Sequence, residues 1–221
     1  KLDGPTLAEI YLGEITKWND GRIKKLNPDI DLPDKPVIVV HRSDSSGSTW
    51  LFTHYLSEVS KNFEAKIGIS KMPVWPRGNF YGGKSNQGVT SYIKQLKGSI
   101  GYVEYSYVIS EKLKTVKMKN RAGKFIKAMP DSFSSAAHSA KFTGTSDFYI
   151  ILNNQEGEKS WPITGFTYIL FHKVPQNKET DIRMKQFFLW CLANGDSMAT
   201  GLHYVPLPES VKKLVRQVLT K

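Results

Sequence analysis

The sequence predicts an α/β fold, and three features of the chain indicate it. Short β-branched stretches alternate along the chain with segments whose apolar residues recur at helical spacing. Glycine, proline and polar turn residues separate these segments. At 221 residues the chain is long enough for one large domain or two lobes. Alternating strands and helices are typical of sheets flanked by helices.

The chain begins with two predicted short helices. Thr6 and Glu9 have the spacing of a capping box, and Gly13 ends the first segment. The apolar residues of this segment share one helical face: Leu7, Ile10 and Tyr11. The second helix is predicted from about Asp20 to Leu26. Prolines then mark a connection into the first strand.

Residues 37–49 form the unit around which the rest of the chain is organised. Val37 to Val40 predict a buried strand that ends at Arg42, and a loop of serine, aspartate and glycine follows. The next apolar residues lie at i, i+3, i+4 and i+7: Phe52, Tyr55, Leu56 and Val59. The loop is therefore predicted to lie at the N-terminus of a helix.

This loop has the chemistry of an anion site. A helix start exposes unpaired N–H groups and the positive end of the helix dipole. Ser46, Gly47 and Ser48 can offer backbone N–H groups, and the two serines add hydroxyls. Arg42 can grip two oxygens at once, and Asp44 is near enough to orient it. The alternative is a simple cap, because serine is a common N-cap residue.

The middle of the chain is predicted to hold a long loop and further alternating elements. Residues 72–88 are rich in glycine and proline and predict a loop that opens a helix at about Gly88. That helix start could face a ligand as a second N-terminus, but a plain capped helix with no ligand role is the preferred interpretation. The following elements are a strand over 99–103, a helix over 104–112, a hairpin over 116–127 and a helix over 130–140. The lysines of the hairpin are interpreted as a solvated edge that blocks unwanted strand pairing.

The C-terminal part is predicted to contain one strand and two helices. Phe166 to His172 read as an apolar strand, and Thr180 as the cap of a helix that ends at Gly195. The apolar stripe of that helix holds Met184, Phe187, Phe188 and Cys191. The single cysteine, Cys191, is interpreted as a buried small hydrophobic residue. The last helix follows Pro208.

Composition and motifs exclude several classes of protein. The net charge of +11 raises the possibility of nucleic-acid binding, but the lysines are scattered and no basic run is interleaved with aromatic residues. No apolar run approaches the roughly 18 residues of a membrane span. Clustered metal ligands, a nucleophile elbow, a Walker loop and a dinucleotide fingerprint are all absent from the sequence. We therefore expect no metal, no cofactor, no catalytic residues and no nucleic-acid partner.

Residues 42–48, with the sequence RSDSSGS, resemble the anion loop of the phosphate-binding proteins of phosphate ABC transporters. Residues 3–20, 98–105 and 161–164 are similar to that family as well, in the same order. The resemblance implies a type II two-lobed periplasmic-binding-protein fold with mixed sheets flanked by helices. Residues 1–160 would form the lobe that carries the anion loop. Residues 161–221 would complete the other lobe, whose N-terminal part is expected to precede Lys1.

The resemblance also implies a function. The chain would bind inorganic phosphate between two lobes and deliver it to a membrane ABC permease. Arg42, Ser46, Gly47 and Ser48 would be ligands and Asp44 a supporting residue. We expect a monomer, periplasmic or held outside the cytoplasm as a lipoprotein. A carboxylate that selects hydrogen phosphate over sulfate is expected in the preceding segment. The alternatives are another tetrahedral oxyanion, or a phosphatase-like or adhesion and assembly protein on the same scaffold.

Overall fold

The computed structural model describes residues 1–140, 148–172 and 174–220, and it confirms the α/β prediction. The helices of these residues are α1 (Gly4–Tyr11), α2 (Gly21–Leu26), α3 (Gly47–Val59), α4 (Lys61–Lys66), α5 (Ser85–Gln95), α6 (Tyr105–Ser110), α7 (Pro130–Ser139), α8 (Lys178–Asn194), α9 (Asp196–Gly201) and α10 (Glu209–Leu219). The strands are β1 (Ile38–Arg42), β2 (Phe80–Gly83), β3 (Ser99–Gly101), β4 (Lys117–Lys119) and β5 (Phe125–Lys127).

The central sheet has the strand order β2-β1-β3, and both neighbours run parallel to β1. Val39 lies opposite Phe80 on one side and Ile100 on the other. The prediction of an uninterrupted loop over 72–88 is therefore wrong, because β2 lies within it. Phe80 and Tyr81 favour a strand, but the other two residues of β2 are glycines, so the local signal for a strand is weak. Pairing with β1 stabilises it instead.

The core lies between this sheet and α1 and α3. The predicted inner faces of both helices are confirmed, since Tyr11, Tyr55 and Leu56 are at most 1% exposed. The rings of Tyr11 and Phe52 meet edge to face at a centroid distance of 4.7 Å. Aromatic edge-to-face contacts of this kind add to the stabilisation from buried apolar area. The first turn of α3 is thus held on a well-packed base.

Two predicted helix caps are wrong by three residues. The side chain of Asp3 accepts a hydrogen bond from the N–H of Thr6 at 3.0 Å, so Asp3 caps α1. Asn177 caps α8 in the same way by accepting from the N–H of Thr180 at 3.0 Å. Asp and Asn are strong N-caps, and both stand three positions before the threonines. Each threonine therefore lies in the first turn of its helix.

The C-terminal part differs from the prediction in two ways. Residues 166–172 form no strand, and Leu170 is 91% exposed. A strand needs a hydrogen-bonded neighbour, and no described strand pairs with this segment. The apolar stripe of α8 is partly uncovered among the described residues, with Phe187 57% exposed. Cys191 is consequently half-buried rather than buried.

The predicted hairpin is confirmed as β4 and β5, and Leu2 extends it on the other side of β4. Leu2 donates its N–H to the carbonyl of Lys117 at 2.9 Å and accepts from the N–H of Lys119 at 2.8 Å. Met118 and Leu2 are buried beneath this small sheet. Lys117 lies directly opposite Lys127 on the outer face. Two ammonium groups therefore share one cross-strand pair.

Replacing Lys127 by glutamate is expected to stabilise the fold by about 0.5 kcal/mol. The change turns a like-charge cross-strand pair into an opposite-charge pair with Lys117. Chemical denaturation with the wild type as reference measures the free energy of unfolding. The variant Lys114→Glu, at an exposed position outside the helices and strands, controls for the lower net charge. A hairpin variant no more stable than this control contradicts the expectation.

Candidate anion-binding site

The candidate site lies at the carboxyl edge of the central sheet. β1 ends at Arg42 and β2 at Gly83, and these two residues are register partners. The chain enters α3 after the first strand and α5 after the second. Strands that run parallel bring these turns, and the helix starts that follow them, to one edge. Ligands of open α/β sheets bind outside this edge.

Arg42 and Asp44 form the two-pronged ion pair that the sequence predicts. Nε of Arg42 donates to Oδ1 of Asp44 at 2.8 Å, and Nη2 donates to Oδ2 at 2.6 Å. The Arg42 side chain is 11% exposed, so this pair fixes its fork in a nearly buried position. The same hydrogen bonds hold the pKa of Asp44 well below its usual range and raise the pKa of Arg42. Both groups therefore stay charged at neutral pH.

A second helix start supports this ion pair. The backbone N–H of Ser85, the first residue of α5, donates to Oδ1 of Asp44 at 3.0 Å. Ser85 has a φ of 59°, in the left-handed region that few residues other than glycine adopt. The expected side-chain cap is absent here, because the N-cap residue Lys84 forms no capping hydrogen bond. The expectation that no ligand contacts this helix start stays a prediction. The structure assigns the N-terminus of α5 a contact with Asp44 that sequence reasoning missed.

The ion pair predicts an acid dependence of stability. The pKa of Asp44 is lowered in the folded chain from an ordinary value of 3.8, chiefly by its hydrogen bond with Arg42. The contribution of Asp44 to the free energy of unfolding is therefore fully present above about pH 4. It is lost as the pH falls through the pKa of Asp44 in the folded chain. We expect the difference in unfolding free energy between wild type and Asp44→Asn to shrink below about pH 4. Urea titrations across this range measure it, and a difference independent of pH would contradict the ion pair.

The three ligand candidates of the loop occupy different positions at the start of α3. Ser46 is the N-cap: its Oγ accepts from the N–H of Thr49 at 3.2 Å, and its own N–H donates to the carbonyl of Lys71 at 3.0 Å. The N–H of Ser46 is thus committed within the fold, contrary to the expectation that it faces an anion. Gly47 and Ser48 occupy the first turn, and their N–H groups have no acceptor among the described residues. These two N–H groups are therefore available to donate hydrogen bonds to a ligand.

Tyr102 joins the end of β1 to the first turn of α3, a role that sequence reasoning missed. Its hydroxyl accepts from the N–H of Arg42 at 3.3 Å and lies 2.8 Å from Oγ1 of Thr49. The ring stacks on Phe52 with a centroid distance of 4.3 Å. Burial raises the pKa of Tyr102, so the hydroxyl stays neutral. Its position directly after β3, at the same sheet edge, was the available signal in the sequence.

The chain is similar to known binding proteins over most of its length. A family model described as a PBP superfamily domain matches residues 1–194. The phosphate-binding protein PstS of Haemophilus influenzae is 45% identical over 216 residues, which cover 98% of this chain and 64% of that protein. PstS of Methanocaldococcus jannaschii is 37% identical over 232 residues, covering 97% of this chain and 59% of the relative. The chain spans less than two thirds of the length of these curated relatives, which are named as binding proteins.

Solved structures resemble the chain over nearly its whole length. A phosphate-binding protein from Stenotrophomonas maltophilia matches with a TM-score of 0.69 at 19% identity, covering 98% of this chain and 64% of that one. A DING protein matches with a TM-score of 0.71 at 19% identity, covering 98% and 65%. At this identity the likeness shows the fold alone, and it confirms the predicted fold class. None of the helices in the described ranges has the length and apolar character of a membrane span.

Proposed function

This chain belongs to the PBP superfamily, and from that premise we propose that it binds inorganic phosphate and serves a phosphate ABC importer. The observation that carries the proposal is the pairing of a fixed guanidinium with free N–H groups at one helix start. Relatives whose printed names are phosphate-binding proteins support the choice of ligand. The same names support a binding role rather than an enzymatic one.

The proposed ligand contacts follow from the hydrogen bonds that the fold leaves open. Asp44 accepts from Nε and Nη2 of Arg42, so Nη1 and the second N–H of Nη2 remain for phosphate oxygens. Gly47 and Ser48 add backbone N–H groups at the positive end of α3. The hydroxyls of Ser46 and Ser48 donate as well. Gly47 suits this role because a Cβ built there meets no atom within 4 Å, so the loop surface is open.

Asp44 has a separate role in this proposal. Its two oxygens already accept from Arg42 and Ser85, and its low pKa keeps it ionised. A carboxylate in that state orients the guanidinium and repels a ligand that approaches too closely. We assign Asp44 to positioning, and selection between hydrogen phosphate and sulfate to a different acceptor group.

We further propose that residues 1–160 form one lobe and residues 161–221 contribute to a second. The central sheet and its core support the first assignment, and Trp161 and Ile163 at the start of the second range also pack against this core. In the second range α8 packs on α9 and α10, while several of its apolar side chains stay exposed. A cleft between lobes would let closure replace the water around phosphate with fixed donors. The chain would act as a monomer outside the cytoplasm, either in the periplasm or as a lipoprotein.

A calorimetric titration of the purified chain with phosphate tests this function, with sulfate as the competitor. Saturable phosphate binding that sulfate does not displace supports the proposal. Equal binding of the two anions favours a site for tetrahedral oxyanions in general. No binding of either anion contradicts the proposed ligand. Turnover of a phosphomonoester by the same sample would contradict the non-enzymatic role.

A further inference from the structure

A cluster of unpaired lysines covers the outer face of the small sheet formed by Leu2, β4 and β5. Neighbouring side chains alternate between faces of a strand, so burial of Leu2 and Met118 turns the flanking residues outward. The outward residues are Lys1, Lys117, Lys119, Phe125 and Lys127, and we call this surface the lysine face. Asp3, the other neighbour of Leu2, caps α1 instead. The four lysines of this face are all exposed, and Phe125 is half-buried among them.

The charges of the lysine face are not balanced locally. Some lysines elsewhere pair with a carboxylate, as Lys17 does with Asp34 and Lys66 with Glu14, each at 2.8 Å. None of the four lysines of the face forms an ion pair with an acidic residue in the described parts of the chain. The face is therefore a source of net positive potential.

Protection of a sheet edge does not explain these lysines. β4 has Leu2 on one side and β5 on the other, so Lys117 and Lys119 belong to the middle strand. A middle strand has no free edge to protect. Lys117 and Lys127 also face each other directly, an arrangement that destabilises a sheet. The interpretation of the hairpin charge as a solvated edge is thus insufficient for this face.

The chemistry of the lysine face favours a diffuse anionic partner. It presents lysines and no arginine, hence compact point charges without the planar fork that reads individual phosphates. Its one aromatic ring, Phe125, is half-buried and lies 5.6 Å from Nζ of Lys1, measured to the ring centroid. Stacking on exposed rings is the usual means of holding single-stranded nucleic acid. A single half-buried ring that already contacts an ammonium group therefore disfavours single-stranded nucleic acid.

We propose that the lysine face docks the protein on an anionic lipid surface. Exposed lysines within a few ångströms of acidic headgroups each contribute to such binding, and salt weakens it. The face would keep the protein near a membrane through electrostatic attraction alone. This inference stands on the hairpin geometry and does not depend on phosphate as the ligand of the anion site.

Cosedimentation with vesicles tests the proposal. The full chain is mixed with vesicles of phosphatidylcholine alone or containing about one third phosphatidylglycerol, at low and high salt. The test variant is Lys117→Glu/Lys127→Glu. The control is Lys24→Glu/Lys25→Glu on α2, which changes the net charge equally at exposed positions. We expect binding to acidic vesicles only, a loss of at least about tenfold in the test variant, and less than about a twofold change in the control.

Three results would overturn the proposal. The first is a wild type that does not bind acidic vesicles, and the second is an equal loss of vesicle binding in both variants. The third is a test variant that keeps vesicle binding but loses binding to a single-stranded oligonucleotide in a parallel binding assay. Phosphate titration and thermal unfolding of the test variant accompany the assay. If phosphate binding and the thermal unfolding transition of the test variant are unchanged, a loss of vesicle binding comes from the lysine face. The same two measurements separate membrane docking from phosphate binding.

Discussion

Replacing Arg42 by alanine is expected to weaken phosphate binding by about 2–4 kcal/mol. The change removes the charged fork and leaves Asp44 at the site without its partner, so repulsion of the anion adds to the lost hydrogen bonds. Calorimetric titration of wild type and variant measures the difference. Arg42→Lys is expected to fall between them, because lysine keeps the charge without the two-pronged geometry.

Arg121→Ala provides the control for net charge. Arg121 lies in the exposed turn of the hairpin and its nearest carboxylate, that of Glu156, is 3.7 Å away. Its loss lowers the positive charge as much as Arg42→Ala does, and the affinity should stay within about twofold. An Arg42→Ala variant that binds phosphate as tightly as Arg121→Ala would remove the loop from the binding site.

Replacing Gly83 by alanine is expected to destabilise the fold by about 3 kcal/mol. A Cβ at this position would lie 2.4 Å from the backbone nitrogen of Val89 and 2.5 Å from the carbonyl carbon of Gly88. These are atoms of the helix backbone, so the end of β2 and the start of α5 must move apart. The N–H of Ser85 moves with them, and Asp44 loses one of its donors. Denaturant unfolding measures the first effect and phosphate titration the second.

Gly21→Ala is the matched control for this substitution. A Cβ on Gly21 meets no atom within 4 Å, and the residue begins α2. Alanine there should be neutral or stabilising by up to about 1 kcal/mol. If Gly83→Ala were as stable as this control, the close approach of β2 and α5 would be wrong.

The strand, loop and helix of residues 37–59 could be predicted from local sequence because each signal agrees with the others. A β-branched run ends at Arg42, Ser46 has the chemistry of an N-cap, and the apolar residues that follow have helical spacing. The pairing of Arg42 with Asp44 was equally accessible, since only two positions separate them. These features need no information from distant parts of the chain.

The remaining parts of the site depend on contacts between residues far apart in sequence. The N–H of Ser85 reaches Asp44 across 41 positions, and Tyr102 reaches Arg42 across 60. Strand β2 forms because β1 lies beside it, although two of its four residues are glycine. Sequence periodicity indicates local helix or strand preference but does not show which strands pair or in what register. These contacts therefore appear only in the folded structure.

The wrong predictions for the C-terminal part, a strand over 166–172 and a buried stripe on α8, have a related cause. Phe166 to His172 are apolar enough for a strand, yet a strand forms only beside a partner, and the described strands offer none. The stripe of α8 has the right spacing for burial, but spacing does not determine whether a neighbour covers it. Prediction of burial from pattern alone therefore failed where packing partners decide the outcome.

Amide chemical shifts during a phosphate titration test the central claim most directly, because they show which N–H groups meet the anion. On ¹⁵N-labelled chain we expect large shifts at Gly47 and Ser48, a smaller one at Ser46, whose N–H already donates to Lys71, and saturation with a single affinity. The Arg42→Ala variant should lose these shifts at the same phosphate concentration. Shifts confined to other parts of the chain, or none at the start of α3, would contradict the assignment of this loop as the phosphate site.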